Sequence, residues 1–175
     1  MLTRFFAIGL LAGLAAACAA KPINKPIDVG PVGAGPGSTA AARKYLEGHW
    51  SLESFEVFPP GKPPLQLKGT GLLTYDEFSN LKIEIRTDAK TADLLDQAGI
   101  INQGGTISSS GRTAVDMQNH TLTYVIEGQP AGFVTTGPLA TNRPRHWVVE
   151  GNVLTLTTRD TDGKALSVAR WKKQS

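Results

Sequence analysis

The feature that most constrains the fold is the strict alternation of aliphatic and charged residues over 81–86, Leu-Lys-Ile-Glu-Ile-Arg. Successive side chains of a β-strand point to opposite faces, so this period of two predicts a strand with one buried and one wet face. The segments 120–127 and 153–159 alternate in the same way, and Asp162-Gly163 is a strong hairpin signal between two such segments. The chain is therefore predicted to fold mainly as antiparallel strands.

The predicted strands are short and are separated by turn-forming residues. We place them at 49–58, 66–76, 80–87, 104–115, 120–127, 131–136, 144–150, 153–159 and 165–172. A short helical turn at 40–46 leads into them, and one helix at 91–101 interrupts them, with Asp88 or Thr91 as its N-cap. The apolar stripe of that helix comprises Leu94, Leu95, Ala98 and Ile101. Consecutive hairpins with one short helix predict an all-β fold, a small antiparallel up-and-down β-barrel of about eight strands.

The N-terminal segment predicts export. One basic residue, Arg4, precedes an uncharged apolar run too short to span a bilayer, which is typical of a signal peptide over 1–17. The end of the run, Ala-Ala-Ala-Cys, resembles a bacterial lipobox, so Cys18 is the expected lipidation site, followed by a Pro/Gly-rich tether over 18–42. The folded domain is expected at 43–175.

This organisation predicts a bacterial lipoprotein of the cell envelope. The expected location is the outer membrane, facing the periplasm, and the membrane is then a partner through the lipid on Cys18. The alternative is ordinary cleavage nearby, which leaves a soluble periplasmic or secreted protein.

Composition excludes several classes of function. The formal charge is only +3, and 7% of the residues are aromatic, with no basic stripe and no stacking platform, so no nucleic acid is expected as a partner. The three histidines, His49, His120 and His146, match no metal-ligand spacing, and there is only one cysteine. We therefore expect no metal, no cofactor, no catalytic residue and no enzymatic activity.

Over Leu46 to Lys173 the sequence resembles the bacterial lipocalin-like domains, short relatives of the lipocalins among the calycin barrels. The resemblance rests on the Gly-x-Trp of "LEGHWSLESFEVF", the hairpin "KGTGLLTYDEFSNLKIEI", and the closing segments "RHWVVEGNVLTLTTRD" and "ARWKK". The middle Thr-Asp-Tyr signature of full lipocalins is not found, and no long helical pattern follows the last strand. The resemblance implies a closed barrel with a lumen.

The resemblance also implies roles for Gly48 and Trp50 at the closed end of the barrel. The Trp50 indole is expected to plug that end, with a basic residue of the last strand across its ring. That residue is expected to be Arg170, or Lys172 in a shifted register, and the stack contributes roughly 0.5–2 kcal/mol.

Within the first predicted strand, the alternation of apolar and polar residues shifts by one position. Trp50 and Leu52 share one face, whereas Phe55 and Val57 share the other. A bulge near Glu53-Ser54 would restore a single inward face. The alternative is that Ser54 and Glu56 point inward and make the lumen partly polar.

An eight-stranded barrel has room for its own side chains or for one small ligand. We expect a small hydrophobic or amphipathic ligand, lined by Tyr75, Ile83, Ile85, Leu122, Tyr124, Ile126, Trp147, Leu154 and Leu156. The first alternative is a filled barrel that acts as an envelope module on a protein partner of unknown identity, with the 91–101 helix as contact element. The second is an enzyme on a calycin barrel. A free volume of about 300 Å³ or more favours ligand binding over filling.

Overall fold

The computed structural model describes residues 39–98, 100, 102–125 and 139–175. The predicted signal peptide, Cys18, most of the tether, the strand predicted at 131–136 and Ile126 lie outside these residues. The described elements are α1 (Thr39–Leu46), β1 (Gly48–Val57), β2 (Leu65–Leu67), β3 (Gly69–Tyr75), β4 (Asn80–Thr87), α2 (Ala89–Gln97), β5 (Thr106–Asp116), β6 (Thr121–Tyr124), β7 (Arg145–Glu150), β8 (Val153–Arg159) and β9 (Ala165–Lys173).

The strands form one closed ring of antiparallel neighbours. β2 and β3 pair with successive parts of the same edge of β1, so the two short strands together act as one of eight members. From β3 the order runs through β4, β5, β6, β7 and β8 to β9, and β9 pairs with the other edge of β1. The predicted all-β, eight-stranded up-and-down barrel is confirmed, because strands that are adjacent in the ring follow one another in the chain.

The predicted bulge in the first strand is confirmed. Opposite β9, the register shifts between Leu52 and Ser54, which leaves Glu53 as the extra residue. Trp50 lies in the core before this point, and Phe55 and Val57 are buried after it. The alternative, with Ser54 and Glu56 pointing inward, is wrong because the extra residue turns Phe55 into the lumen.

Helix α1 lies across the end of the barrel where β1 begins, which we call the α1 end. Leu46 is buried in the core, and its carbonyl accepts a 3.0 Å hydrogen bond from the Trp50 indole Nε1. Arg43 donates to the carbonyl of Glu77 in the β3–β4 turn at the same end. Trp50 and Tyr75 are both buried here, so this end of the lumen is filled with large side chains.

Helix α2 follows β4 at the opposite end, which we call the α2 end. Of the two expected N-caps, Asp88 is confirmed: its carboxylate accepts a 2.7 Å hydrogen bond from the Thr91 backbone N–H. Leu95 is buried, but Leu94 is 36% exposed, so its predicted place on the buried stripe is wrong. None of the helices in the described ranges is long and apolar enough to cross a membrane.

The cation over Trp50 is Lys173, whose Nζ lies 5.1 Å from the ring centroid, so the predicted Arg170 is wrong. Along β9 the buried side chains are Ser167, Ala169 and Trp171, and Lys173 continues this series at the end of the strand. Arg170 and the alternative Lys172 fall on the outward face, and Arg170 Nε instead contacts the Glu53 carboxylate at 3.3 Å.

Candidate functional site

A cavity of about 100 Å³ lies inside the barrel, in the half nearer the α2 end. Its apolar wall comprises Phe55, Ile83, Ile85, Ile107, Leu156 and Trp171. Hydroxyl groups join that wall from Ser109, Thr158 and Ser167, and Asn102, Gln103 and Thr106 lie at the rim. The combination of an apolar lumen with a few inward hydroxyls is typical of a site for a small ligand.

Only some of the residues that we expected to line a ligand are found on the cavity wall. Ile83, Ile85 and Leu156 lie on the cavity wall. Tyr75, Leu122, Trp147 and Leu154 do not; they are buried in the core nearer the α1 end. Trp147, for example, packs against the rings of Tyr45 and His120, with centroid distances of 6.1 and 4.6 Å. Alternation identifies these side chains as inward, and they belong to the same buried core cluster as Trp50 and Leu46.

Tyr124 lies behind the cavity wall. Its hydroxyl is 2.8 Å from the hydroxyl of Ser109, which does line the cavity. Burial raises the pKa of Tyr124, and the nearby Arg145 charge and the Ser109 hydrogen bond partly offset this effect. The phenol is therefore neutral at physiological pH.

Arg145 is the unusual member of the site. It is only 8% exposed and is the only charged residue among the described lining residues. Its guanidinium carbon lies 5.0 Å from the centroid of the Tyr124 ring, and its Nη1 has no hydrogen-bond partner among the described residues. Burial lowers the pKa of Arg145, although an arginine stays protonated at neutral pH. The cavity wall therefore contains a buried positive charge.

In the part of the chain that the structure describes, no carboxylate contacts Arg145. The two ion pairs found there join Arg86 to Glu84 and Arg170 to Glu53, both on the outside of the barrel. A buried cation without a carboxylate is uncommon, because removing an ion from water costs several kcal/mol unless a partner compensates.

The histidines lie away from the cavity. His49 Nδ1 is 3.3 Å from the Thr74 hydroxyl on the exposed side of β1, and His120 stacks on Trp147 at the α1 end. His146 falls between the inward Arg145 and Trp147, on the outward face of β7. Across the described ranges, no group of three or more His, Cys, Asp or Glu side chains is placed to hold a metal ion.

The sequence-based prediction missed Arg145, together with Phe55, Ile107, Ser109, Ala169 and Trp171 on the same wall. A signal for Arg145 was present. Trp147 was predicted to point inward. Arg145 stands two residues before it in the same strand, so its side chain must point the same way. A positive charge at an inward position is rare, so a pattern of buried apolar residues does not by itself identify Arg145.

Comparison with known proteins adds little to this picture. No protein-family model matches the chain, and no curated protein matches it. Among solved structures, the chain is similar to a redesigned β-barrel with 13% identity and a TM-score of 0.35, over 77% of this chain and 96% of that one. The fold assignment rests on the strand pairings described above.

Proposed function

We propose that this protein binds one compact, mainly apolar molecule inside the barrel, at the α2 end. The observation that carries the proposal is the cavity itself. Large side chains fill the α1 end of the lumen, whereas the α2 end keeps a free volume of about 100 Å³ between Phe55, Ile83 and Leu156. This volume is below the roughly 300 Å³ that we expected for a ligand-binding barrel, but core packing normally leaves few voids larger than a water molecule, so the space supports a ligand smaller than expected.

The size of the cavity limits the ligand. Pockets for drug-sized molecules begin at about 300 Å³, and an apolar cavity of about 150 Å³ admits a benzene-sized molecule. At about 100 Å³, the space suits a molecule with a handful of non-hydrogen atoms rather than a lipid. A barrel acting only as an envelope module would need no such space.

The proposal assigns no catalytic step to the protein. The described lining residues contribute hydroxyls, two amides and one guanidinium, but no histidine and no carboxylate. Among the described residues that line the cavity, none is a typical general base of the kind that nucleophilic catalysis by a hydroxyl requires. Binding and release are the chemistry that such a wall supports.

We also propose export with a lipid on Cys18. The support is the sequence: Arg4, the uncharged run that follows, and the small residues before the cysteine are typical of a lipoprotein signal. A Pro/Gly-rich tether would then hold the barrel away from the membrane.

Titration of the protein with apolar compounds of about three to five carbons, followed by ¹H–¹⁵N NMR, tests the binding proposal. We expect saturable shifts at Phe55, Ile83 and Ile107. Ala169→Leu adds three carbons on the cavity wall and should abolish these shifts, whereas Val148→Leu, at a 49% exposed position on the outside of β7, should retain them. The NMR spectrum itself shows whether each variant is folded. If no compound shifts the lining residues of the wild-type protein, the barrel is filled and the proposal is wrong.

A further inference from the structure

We infer that the ligand is a small monocarboxylate with a short apolar body, and that Arg145 binds its carboxylate. This inference rests on the proposed function and specifies the chemical class of the ligand. It depends on three observations: the burial of the Arg145 charge, the way in which its guanidinium is held, and the absence of a second charge on the described cavity wall.

The first observation is a charge whose burial no described group compensates. Arg145 is 8% exposed, and among the described residues its Nη1 has no acceptor and no carboxylate contacts it. In a filled core, methionine or leucine at this position would avoid the desolvation penalty. An anionic ligand accounts for the arginine because it supplies the missing acceptor when it binds.

The second observation is that the guanidinium is held before any ligand arrives. It lies 5.0 Å from the centroid of the Tyr124 ring, a cation–π distance, and Ser109 anchors the hydroxyl of that ring at 2.8 Å. A planar guanidinium in a fixed orientation presents paired N–H donors that match the two oxygens of a carboxylate. Pre-positioning of this kind lowers the entropic cost of binding.

The third observation separates a carboxylate from a phosphate. Arg145 is the only charged residue among the described lining residues, so one negative charge neutralises the site. A doubly charged phosphate would leave an excess charge against Ile83, Ile107 and Leu156, which cannot solvate it. The same apolar residues suit a short hydrocarbon body. The volume of about 100 Å³ limits that body to a few carbons.

Calorimetry with matched pairs of compounds tests the inference on the full chain. Propionate and butyrate carry the charge, propionamide and butyramide have nearly the same shapes without it, and inorganic phosphate has the charge without the apolar body. We expect each carboxylate to bind about tenfold more tightly than its amide, or better, because hydrogen bonds between charged groups exceed neutral ones by that factor. Phosphate is expected to bind at least about tenfold more weakly than butyrate.

Variants assign the effect to Arg145. Arg145→Gln should lower butyrate affinity about tenfold or more and leave butyramide affinity within about twofold. Arg170→Gln is the control, since Arg170 is also an arginine but lies on the outside of β9 beside Glu53. It should bind both compounds as the wild type does. If Arg145→Gln fails to fold, the Nε–H NMR signal of Arg145 in the wild-type protein replaces it. That signal should shift with butyrate and not with butyramide.

The possible outcomes separate the inference from the proposed function. If amides bind as tightly as carboxylates, or if Arg145→Gln leaves butyrate affinity unchanged, the inference is overturned and the binding proposal stands. Tighter binding of phosphate than of butyrate overturns the monocarboxylate assignment. If no compound of either kind binds, both proposals are wrong.

Discussion

Lys173 lies across the Trp50 ring, with its Nζ 5.1 Å from the ring centroid, and the same two residues are partners in the β1–β9 ladder. β1 is the first strand and β9 the last, so this contact lies at the seam where the barrel closes. The Lys173 side chain also passes over Gly48: a Cβ at Gly48 would lie 3.2 Å from Lys173 Cε. The glycine two residues before the tryptophan therefore leaves room for the lysine at the seam.

Removing the charge at the seam should weaken the fold. We expect Lys173→Ala to lower the free energy of unfolding by about 0.5–1 kcal/mol, the value of a cation–π contact at an exposed site. Lys172→Ala is the control, because Lys172 is exposed on the outward face, and it should change stability by less than about 0.5 kcal/mol. Urea unfolding followed by tryptophan fluorescence measures both. Equal effects of the two variants would contradict a specific role for Lys173.

A side chain at Gly48 should be costly for two reasons. Its φ of 133° is a conformation that L-residues rarely adopt, and the added Cβ would press against Lys173. We expect Gly48→Ala to destabilise the barrel by about 1–3 kcal/mol.

Gly151→Ala is the matched control. Its φ of 60° is also positive, but nothing lies within 4 Å of an added Cβ, so only backbone strain applies. In the double variant Gly48→Ala/Lys173→Ala, part of the Gly48 effect should be recovered, since the contact is gone and the strain remains. Strictly additive effects in urea unfolding would show that Lys173 does not contact the new methyl group.

The N-cap of α2 should respond to acid. Hydrogen bonds from the Thr91 side chain and backbone hold the pKa of Asp88 below its ordinary value of 3.8. A carboxyl whose pKa is lower in the folded state stabilises the fold above its unfolded pKa, and this stabilisation is lost as the pH falls through the lower folded value. The cap should therefore weaken only below about pH 4.

Thr91 variants test the cause of that shift. Thr91→Ala removes the side-chain donor and should move the pKa of Asp88 up toward its ordinary value, while Thr91→Ser keeps the hydroxyl and should keep the pKa low. Carbon-detected NMR of the Asp88 carboxyl across pH 2–6 measures the pKa directly. An unchanged titration in Thr91→Ala would assign the shift to the backbone N–H alone.

The proposed lipidation makes a prediction about membrane association. In a bacterial host, the wild-type chain should partition into the detergent phase and carry the mass of a diacylglyceryl group on Cys18. Cys18→Ser should abolish both properties and leave the barrel folded, as judged by the same NMR spectrum. A wild-type protein found in the aqueous phase without added lipid mass would contradict the proposal.

The properties that the sequence determined by itself are local. Alternation at 81–86 and 153–159 predicted β4 and β8, Asp88 was one of two predicted caps of α2, and the phase change after Leu52 suggested the bulge at Glu53 as one of two arrangements. Each depends on neighbours a few residues apart, because the two-residue period of a strand and the capping of a helix are short-range effects.

Only the tertiary structure decided which cation reaches Trp50 and where the lumen stays open. The choice of Lys173 over Arg170 depends on the register between β1 and β9, which are more than a hundred residues apart in the chain. Tyr75 and Ile83 both point inward, yet only Ile83 lines the cavity. Alternation specifies the face on which a side chain lies, but the free volume beside it depends on every strand of the closed ring.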